Sequence, residues 1–219
     1  MTGGHAGTRR SAKRRAILRA TQAVMLRDGY AAVTFERVAT VAGVAKGLVY
    51  YYFSTLDELF VAVLRDSMDQ FLAQMSVAAA SGASLRTAWA YAGDRTGTAL
   101  TVEFLALANH RSEVRAAIGE CADRARRTLT QVVGANLADS RMLALTSDSA
   151  AAFMLTCIPR LIAMEELVGA DLGHSDAMVA GRKSSSSQKV PRNSGGDQPH
   201  NAVLYSCIAA DAASARTRV

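Results

Sequence analysis

The chain has 219 residues, half of them hydrophobic, with three prolines, three cysteines and a formal charge of +6. That length suits one moderate domain or a small domain joined to a larger one, and the alanine- and leucine-rich, proline-poor composition leans to an all-α fold with a packed core. An isoelectric point near 9.5 points to a polyanionic partner without separating nucleic acid from a membrane surface.

Cys121, Cys157 and Cys207 are odd in number and far apart, which speaks against a disulfide ladder or a paired-cysteine metal site. They read as ordinary thiols in a reducing compartment. The longest nearly uninterrupted apolar run, residues 150–158, is too short to span a bilayer. The arginine-rich start leads into a periodic helix rather than a signal peptide, so a cytoplasmic protein without a membrane partner is expected.

Residues 1–10, "MTGGHAGTRR", read as a flexible basic arm, since Arg9, Arg10, Lys13, Arg14, Arg15 and Arg19 all precede the first acid, Asp28. From Ser11 the apolar residues Ile17, Leu18, Val24 and Met25 recur at helical spacing until "RDGY" supplies a glycine stop. Thr34 offers an N-cap to a second helix, with Glu36 in its first turn facing the positive end of the dipole. Phe35, Val38, Ala39 and Ala42 give that helix its packing side, and Gly43 closes it. A third, short helix begins near Ala45. Helix, glycine turn and helix within this span are what a helix-turn-helix requires.

Thr55 and Glu58 have capping-box spacing. They open a fourth helix whose apolar stripe runs through Leu59, Phe60, Val63, Leu64, Met68, Phe71, Leu72 and Met75 to the alanines before Ser81. Helical patterns follow over residues 85–92, 98–109, 113–137 (with Ser112 as a cap) and 147–168, the last interrupted or kinked at Pro159. After Gly181 the stretch "RKSSSSQKVPRNSGGDQPHN" has a serine run and no apolar period, the composition of a disordered segment. The domain reading is therefore a 1–10 arm, an 11–54 helix-turn-helix head, a 55–180 helical body and a 181–219 disordered or atypical tail.

The third helix carries an oddity: "GVAKGLVYYYF" places Gly47 inside a helix, at about 1 kcal/mol against alanine, and then sets three tyrosines in a row. At about 100° per residue, Val49 and Phe53, with Tyr52 beside them, fall on one side. Lys46, Gly47, Tyr50 and Tyr51 fall on the other, with Leu48 at its margin. The outward side suits DNA: lysine reaches a phosphate or guanine edge, tyrosine hydroxyls bond phosphates while the rings pack on sugars or thymine methyls, and glycine lets backbone approach. The competing reading is that the tyrosines merely close a small three-helix core.

The run "TFERVATVAGVAKGLVYYYFSTLDEL", Thr34 to Leu59, resembles the TetR family of bacterial transcription regulators in its threonine cap, apolar-alanine pair, A-G-V turn, following glycine, Tyr-x-x-Phe and acidic-Leu restart. The resemblance implies a homodimer whose recognition helices enter successive major grooves of a palindromic double-stranded operator, and whose larger domain binds a small molecule that releases the DNA. It implies that Thr34 caps helix two and touches phosphate, that Lys46 and Gly47 face bases and Leu48 bases or backbone, and that Tyr50 and Tyr51 grip phosphates and sugars. Arg14 and Arg15 are further phosphate candidates. The chain departs from the family pattern at Leu56, where a phosphate-holding lysine is usual; the N–H groups at that helix start remain available.

In the body, Trp89, Tyr91, Phe104, His110, Met154 and Cys157 are the candidates for lining an effector pocket, with plain core packing as the alternative for Trp89. Few charges interrupt 98–108 or 150–163, so the expected effector is apolar or amphipathic. His110 and Glu113 lack a third partner for a metal site. The segment from Cys121 to Arg127, including "RARR", reads as a solvated helix surface. Regulators of this kind pair through their last two long helices; residues 147–168 supply one, and nothing after Gly181 supplies a second. No Gly-rich phosphate loop, HExxH, G-x-S-x-G or clustered metal ligand is present, so neither an enzyme nor a cofactor is expected. The alternatives are an all-helical carrier or enzyme, and a sequence-neutral DNA-binding protein.

Overall fold

A computed structural model describes residues 3–137, 147–170 and 172–174; the predicted tail after Gly181, and Cys207 within it, lie outside the described residues. Among the described residues there are eight α-helices, one 3-10 turn and no strand.

Helix α1 runs Gly3–Asp28, so residues 3–10 of the expected arm form the first turns of one continuous helix. Its alanines, lysine and arginines favour helix and no proline breaks it. Ile17, Leu18, Val24 and Met25 are buried along one face. The equally buried Thr21 donates its hydroxyl to the Ile17 carbonyl at 2.9 Å, which satisfies the one polar side chain in that stripe. Gly29, at φ 81°, ends α1 and leads into a 3-10 turn, Tyr30–Ala32, that the sequence pattern did not reveal.

Helix α2, Phe35–Ala42, is capped by Thr34, whose hydroxyl oxygen accepts from the Arg37 N–H. It ends on Gly43 at φ 64° and ψ 35°, the left-handed conformation expected there. Helix α3 is Lys46–Tyr52 and helix α4 Leu56–Ala80. The Glu58 N–H donates to the Thr55 hydroxyl at 3.1 Å, while the Glu58 carboxylate accepts from the Ser54 N–H at 2.6 Å, one residue before the N-cap.

Helices α5 (Ser84–Ala92), α6 (Arg95–Ala108), α7 (Ser112–Leu137) and α8 (Asp148–Leu167) complete the described chain. Helix α6 starts a turn before the predicted Thr98 because the Asp94 carboxylate accepts from the Gly97 N–H and caps it. Ser112 lies in α7 itself rather than before it. Helix α8 continues through Pro159 without interruption. Pro159 is buried, and a Cβ on Gly93 would come within 3.2 Å of its Cβ. The missing side chain at Gly93 thus lets the end of α5 close on the proline turn.

Among the described residues two apolar cores result. The first joins Ile17, Leu18, Val38, Val49 and Phe53 to Phe60 and Val63 of α4, and also to Phe104 and Leu107 of α6 and Val114 of α7. A three-helix head is too small to bury much surface by itself, and here its core is completed from across residue 55. The second core gathers Phe71 and Met75 of α4, Leu85 and Ala88 of α5, Leu129 and Val133 of α7, and Ala151 and Ala152 of α8. Helix α4, 25 residues and so about 37 Å long, contributes its first half to one core and its second half to the other.

Cys121 is buried rather than on a solvated surface, and burial pushes its thiol up. The basic run after it is only partly solvated. Arg124 reaches Asp69 of α4 at 3.1 Å, and the Arg126 guanidinium lies 4.5 Å from the Phe153 ring centroid on α8. Both corrections follow from α7 packing against α4 and α8, while Asp123 and Arg127 on its remaining face are exposed as expected.

Candidate nucleic-acid interface

Helix α3 divides as its angular arithmetic requires. Val49 is fully buried and Phe53 nearly so, while Tyr50 and Tyr51 keep 49% and 60% of their surface exposed. Lys46 and Gly47 are exposed, and Leu48 and Tyr52 are half-buried. The reading in which all the tyrosines close the core is therefore set aside. Tyr52 is half-buried against it, and Tyr51 stands edge-on to Tyr52 at 5.3 Å between ring centroids.

Gly47 is not a packing requirement. A Cβ built on it meets nothing within 4 Å, so the helix bears the glycine penalty where the fold itself has room for alanine. Tyr50 leans edge-on against the buried Phe35 of α2, centroids 4.7 Å apart, which fixes its ring while leaving its outer part in solvent.

Around this face the charges are arranged, not merely abundant. Lys46 is paired with Glu36 of α2, and its ammonium lies 5.5 Å from the Tyr50 ring centroid. Hydrogen bonding to the lysine holds the Glu36 carboxyl below its ordinary value, and the same bond raises the Lys46 ammonium. Thr34 is exposed beside them, its oxygen committed to the Arg37 N–H as acceptor, which leaves the hydroxyl proton available for donation. Arg37 itself is drawn back onto Asp28 at 2.7 Å. Arg14 and Arg15 are both exposed on α1, with the Arg14 guanidinium 5.6 Å from the Phe53 ring centroid.

The start of α4 differs from the rest. Leu56 is half-buried and packs on the first core, Asp57 accepts from Arg111 at 2.5 Å, and Glu58 is turned to Ser54. Arg111 also lies 6.0 Å from the Phe60 ring centroid. Carboxylates thus occupy this helix start, and a loop from the body clamps one of them. A second tie runs from α6, where the Glu103 carboxylate accepts from the Tyr30 N–H at 2.7 Å.

The six effector candidates do not converge. Phe104 is buried in the first core, edge-on to Phe60, and His110 is exposed at the α6–α7 junction. Met154 is exposed on α8 and Cys157 half-buried. Tyr91 stacks on Phe71 at 4.4 Å beside the second core, and its burial pushes the phenol up. Trp89 buries its indole N–H without a hydrogen-bond partner. Of the six, these two α5 aromatics retain the character of a lined interior. Among the described residues no three His, Cys, Asp or Glu side chains gather as metal ligands, and no single helix is long and apolar enough to cross a membrane.

Sequence reasoning placed Glu36 only as a dipole partner and Phe35 only as packing. Their roles beside Lys46 and Tyr50 depend on how α2 crosses α3, which no local periodicity encodes.

The family described as "Bacterial regulatory proteins, tetR family" matches residues 17–63. The HTH-type transcriptional regulator RutR of Escherichia coli (strain K12) is 38% identical over 65 residues, 30% of this chain and 31% of RutR, so the match spans less than a third of that relative. A transcriptional regulator from Saccharomonospora viridis, solved in complex with choline, superposes with a TM-score of 0.65 at 15% identity, covering 83% of this chain and all of that one. A TetR-family regulator from a Rhodococcus species gives 0.64 at 20% identity, covering 80% and 96%. Those two likenesses concern the fold alone. Residues 17–63 comprise the buried stripe of α1, the whole turn between α2 and α3, and the start of α4, and it is over that segment that the chain is similar to the tetR family of bacterial regulatory proteins.

Proposed function

We propose that the protein is a cytoplasmic, sequence-specific DNA-binding transcriptional regulator, a repressor released from a palindromic operator by a small molecule. One observation carries this reading: α3 turns Lys46, Gly47, Tyr50 and Tyr51 outward while Val49 and Phe53 anchor it. Lys46, Gly47 and Leu48 read the major groove, and Thr34, Tyr50, Tyr51, Arg14 and Arg15 hold phosphates and sugars. The cationic contact that Leu56 forgoes at α4 is taken over by α1.

The division of labour is a head over 11–54, preceded by the basic 1–10 segment, and a body over 55–180. The body pairs two chains through α8, where Met154, Ile158, Leu161, Met164 and Leu167 form an exposed apolar band larger in character than scattered surface residues. The effector enters beside Trp89 and Tyr91, as an apolar or amphipathic molecule; the choline complex of the Saccharomonospora neighbour supports a small-molecule site in a body of this fold. Its binding reaches the head through the Glu103–Tyr30 tie and through the start of α4, which Arg111 holds at Asp57. Each 1.4 kcal/mol of effector preference for the DNA-incompetent arrangement weakens operator binding about tenfold.

Selection of preferred sequences from random duplex DNA at two salt concentrations tests the reading. A palindrome with half-sites about one helical turn apart is the expected result. Retention without enrichment points instead to charge-driven coating, and no retention to a carrier or enzyme.

A further inference from the structure

The pair at the start of the recognition helix has a consequence beyond DNA binding as such. An unpaired lysine is a point charge on a flexible stem, and it can neutralise a phosphate on any sequence. Lys46 is not in that state. Its ammonium is paired with Glu36 and also lies over the Tyr50 ring, and that ring is itself braced edge-on against the buried Phe35. Carboxylate, ring and buried phenylalanine together give the amine a defined place on the first residue of α3.

We propose that Glu36 is a specificity-determining residue that acts by positioning Lys46. Resting on the DNA-binding reading above, the inference assigns Glu36 two effects. It aims the lysine's remaining N–H donors at base edges, where guanine O6 and N7 accept, instead of releasing the cation to the nearest phosphate. It also places a negative charge at the protein–DNA surface, so that any docking register bringing phosphate to this point is repelled. Glu36 therefore weakens binding to DNA in general and widens the gap between operator and other sequences. Tyr50 shares the positioning, because the ammonium also lies over its ring.

The test uses the full chain, the wild-type operator found by selection and a scrambled duplex of equal length, titrated by fluorescence anisotropy across a salt series. Glu36→Gln keeps the size of the side chain and one acceptor oxygen but removes its charge. It is expected to tighten scrambled-duplex binding by about tenfold and change operator binding by less than about threefold. The scrambled-duplex salt slope should steepen by about 0.9, the increment for one newly engaged phosphate. The double variant Glu36→Gln, Lys46→Gln should lose that added slope, which ties the effect to the lysine. A specificity ratio and slope unchanged by Glu36→Gln would overturn the inference while leaving DNA binding intact. If instead the wild-type protein itself fails to distinguish operator from scrambled DNA, the DNA-reading assignment falls and takes this inference with it. Circular dichroism melts of both variants exclude unfolding as the cause, since Glu36 and Lys46 are exposed and the Thr34 cap is untouched by either change.

Discussion

Helices α3 and α8 both leave large side chains in water, yet they do so with different chemistry. On α3 the exposed residues are tyrosines beside a lysine and a glycine, with a carboxylate close by. On α8 they are Met154, Ile158, Leu161, Met164 and Leu167, with Leu161 56% exposed. An aromatic with a hydroxyl tip gains from contact with sugar and phosphate, which stay wet; an aliphatic band gains only by exclusion of water against another apolar surface. Exposed hydrophobic area thus does not name a partner by its size. The polar groups set among it do.

The largest expected effect lies on the α8 side. Ile158→Glu combined with Leu161→Glu would force charges into a dimer seam, where unpaired ions are strongly disfavoured. The protein should sediment as a monomer at micromolar concentration, and operator affinity should fall by more than about a hundredfold as the two heads lose their effective concentration for one another. A dimer that persists would break the comparison by showing that α8's band has another use.

On the α3 side, Lys46→Ala and Tyr51→Ala should each cost about 1–3 kcal/mol of operator binding, a roughly five- to 150-fold loss in a titration, with the dimer unaffected. Tyr51 is the cleaner probe, since Tyr50 also packs on Phe35. A smaller and differently shaped effect belongs to α1. Arg14→Ala with Arg15→Ala should weaken operator and scrambled DNA alike and lower the salt slope by about 1.8, for two phosphates; an unchanged slope would remove these arginines from the interface.

The smallest effect separates fold from function within one residue. Because a Cβ at Gly47 has open space around it, Gly47→Ala should stabilise the protein by about 0.5–1 kcal/mol, raising the melting midpoint by about 1–4 °C, while binding to the operator weakens. A variant that is more stable and binds equally well would mean the glycine serves no close approach.

How far each helix could be read from sequence follows from the range of the forces that shape it. The α3 faces were legible because 100° per residue is intrinsic to the backbone, and the Thr34 and Thr55 caps because a cap is a contact three residues long. The Tyr30–Ala32 turn escaped because its N–H is satisfied by Glu103, a residue far along the chain. Cys121 was misplaced on a surface because its burial depends on α7 lying between α4 and α8. Of the effector candidates, Phe104 is a large side chain that local pattern offers equally to a pocket or a core, and α6's completion of the head's core decides for the latter. Helix α8 reads in the sequence as an apolar pattern interrupted or kinked at Pro159, whereas the structure carries one helix through it, and which of its residues face water was decided by the helices packed on its other side.

By itself the sequence determined that the chain is helical, where most helices stop, and which side of α3 turns away from its neighbours, since propensity, capping and helical periodicity act over a few residues. Only the tertiary structure decided that the head's core is finished by α6 and α7, that Lys46 is held by Glu36 rather than free, and that α8 keeps an apolar band uncovered. Those outcomes depend on distances between residues ten to ninety positions apart, set by packing and without trace in any local pattern.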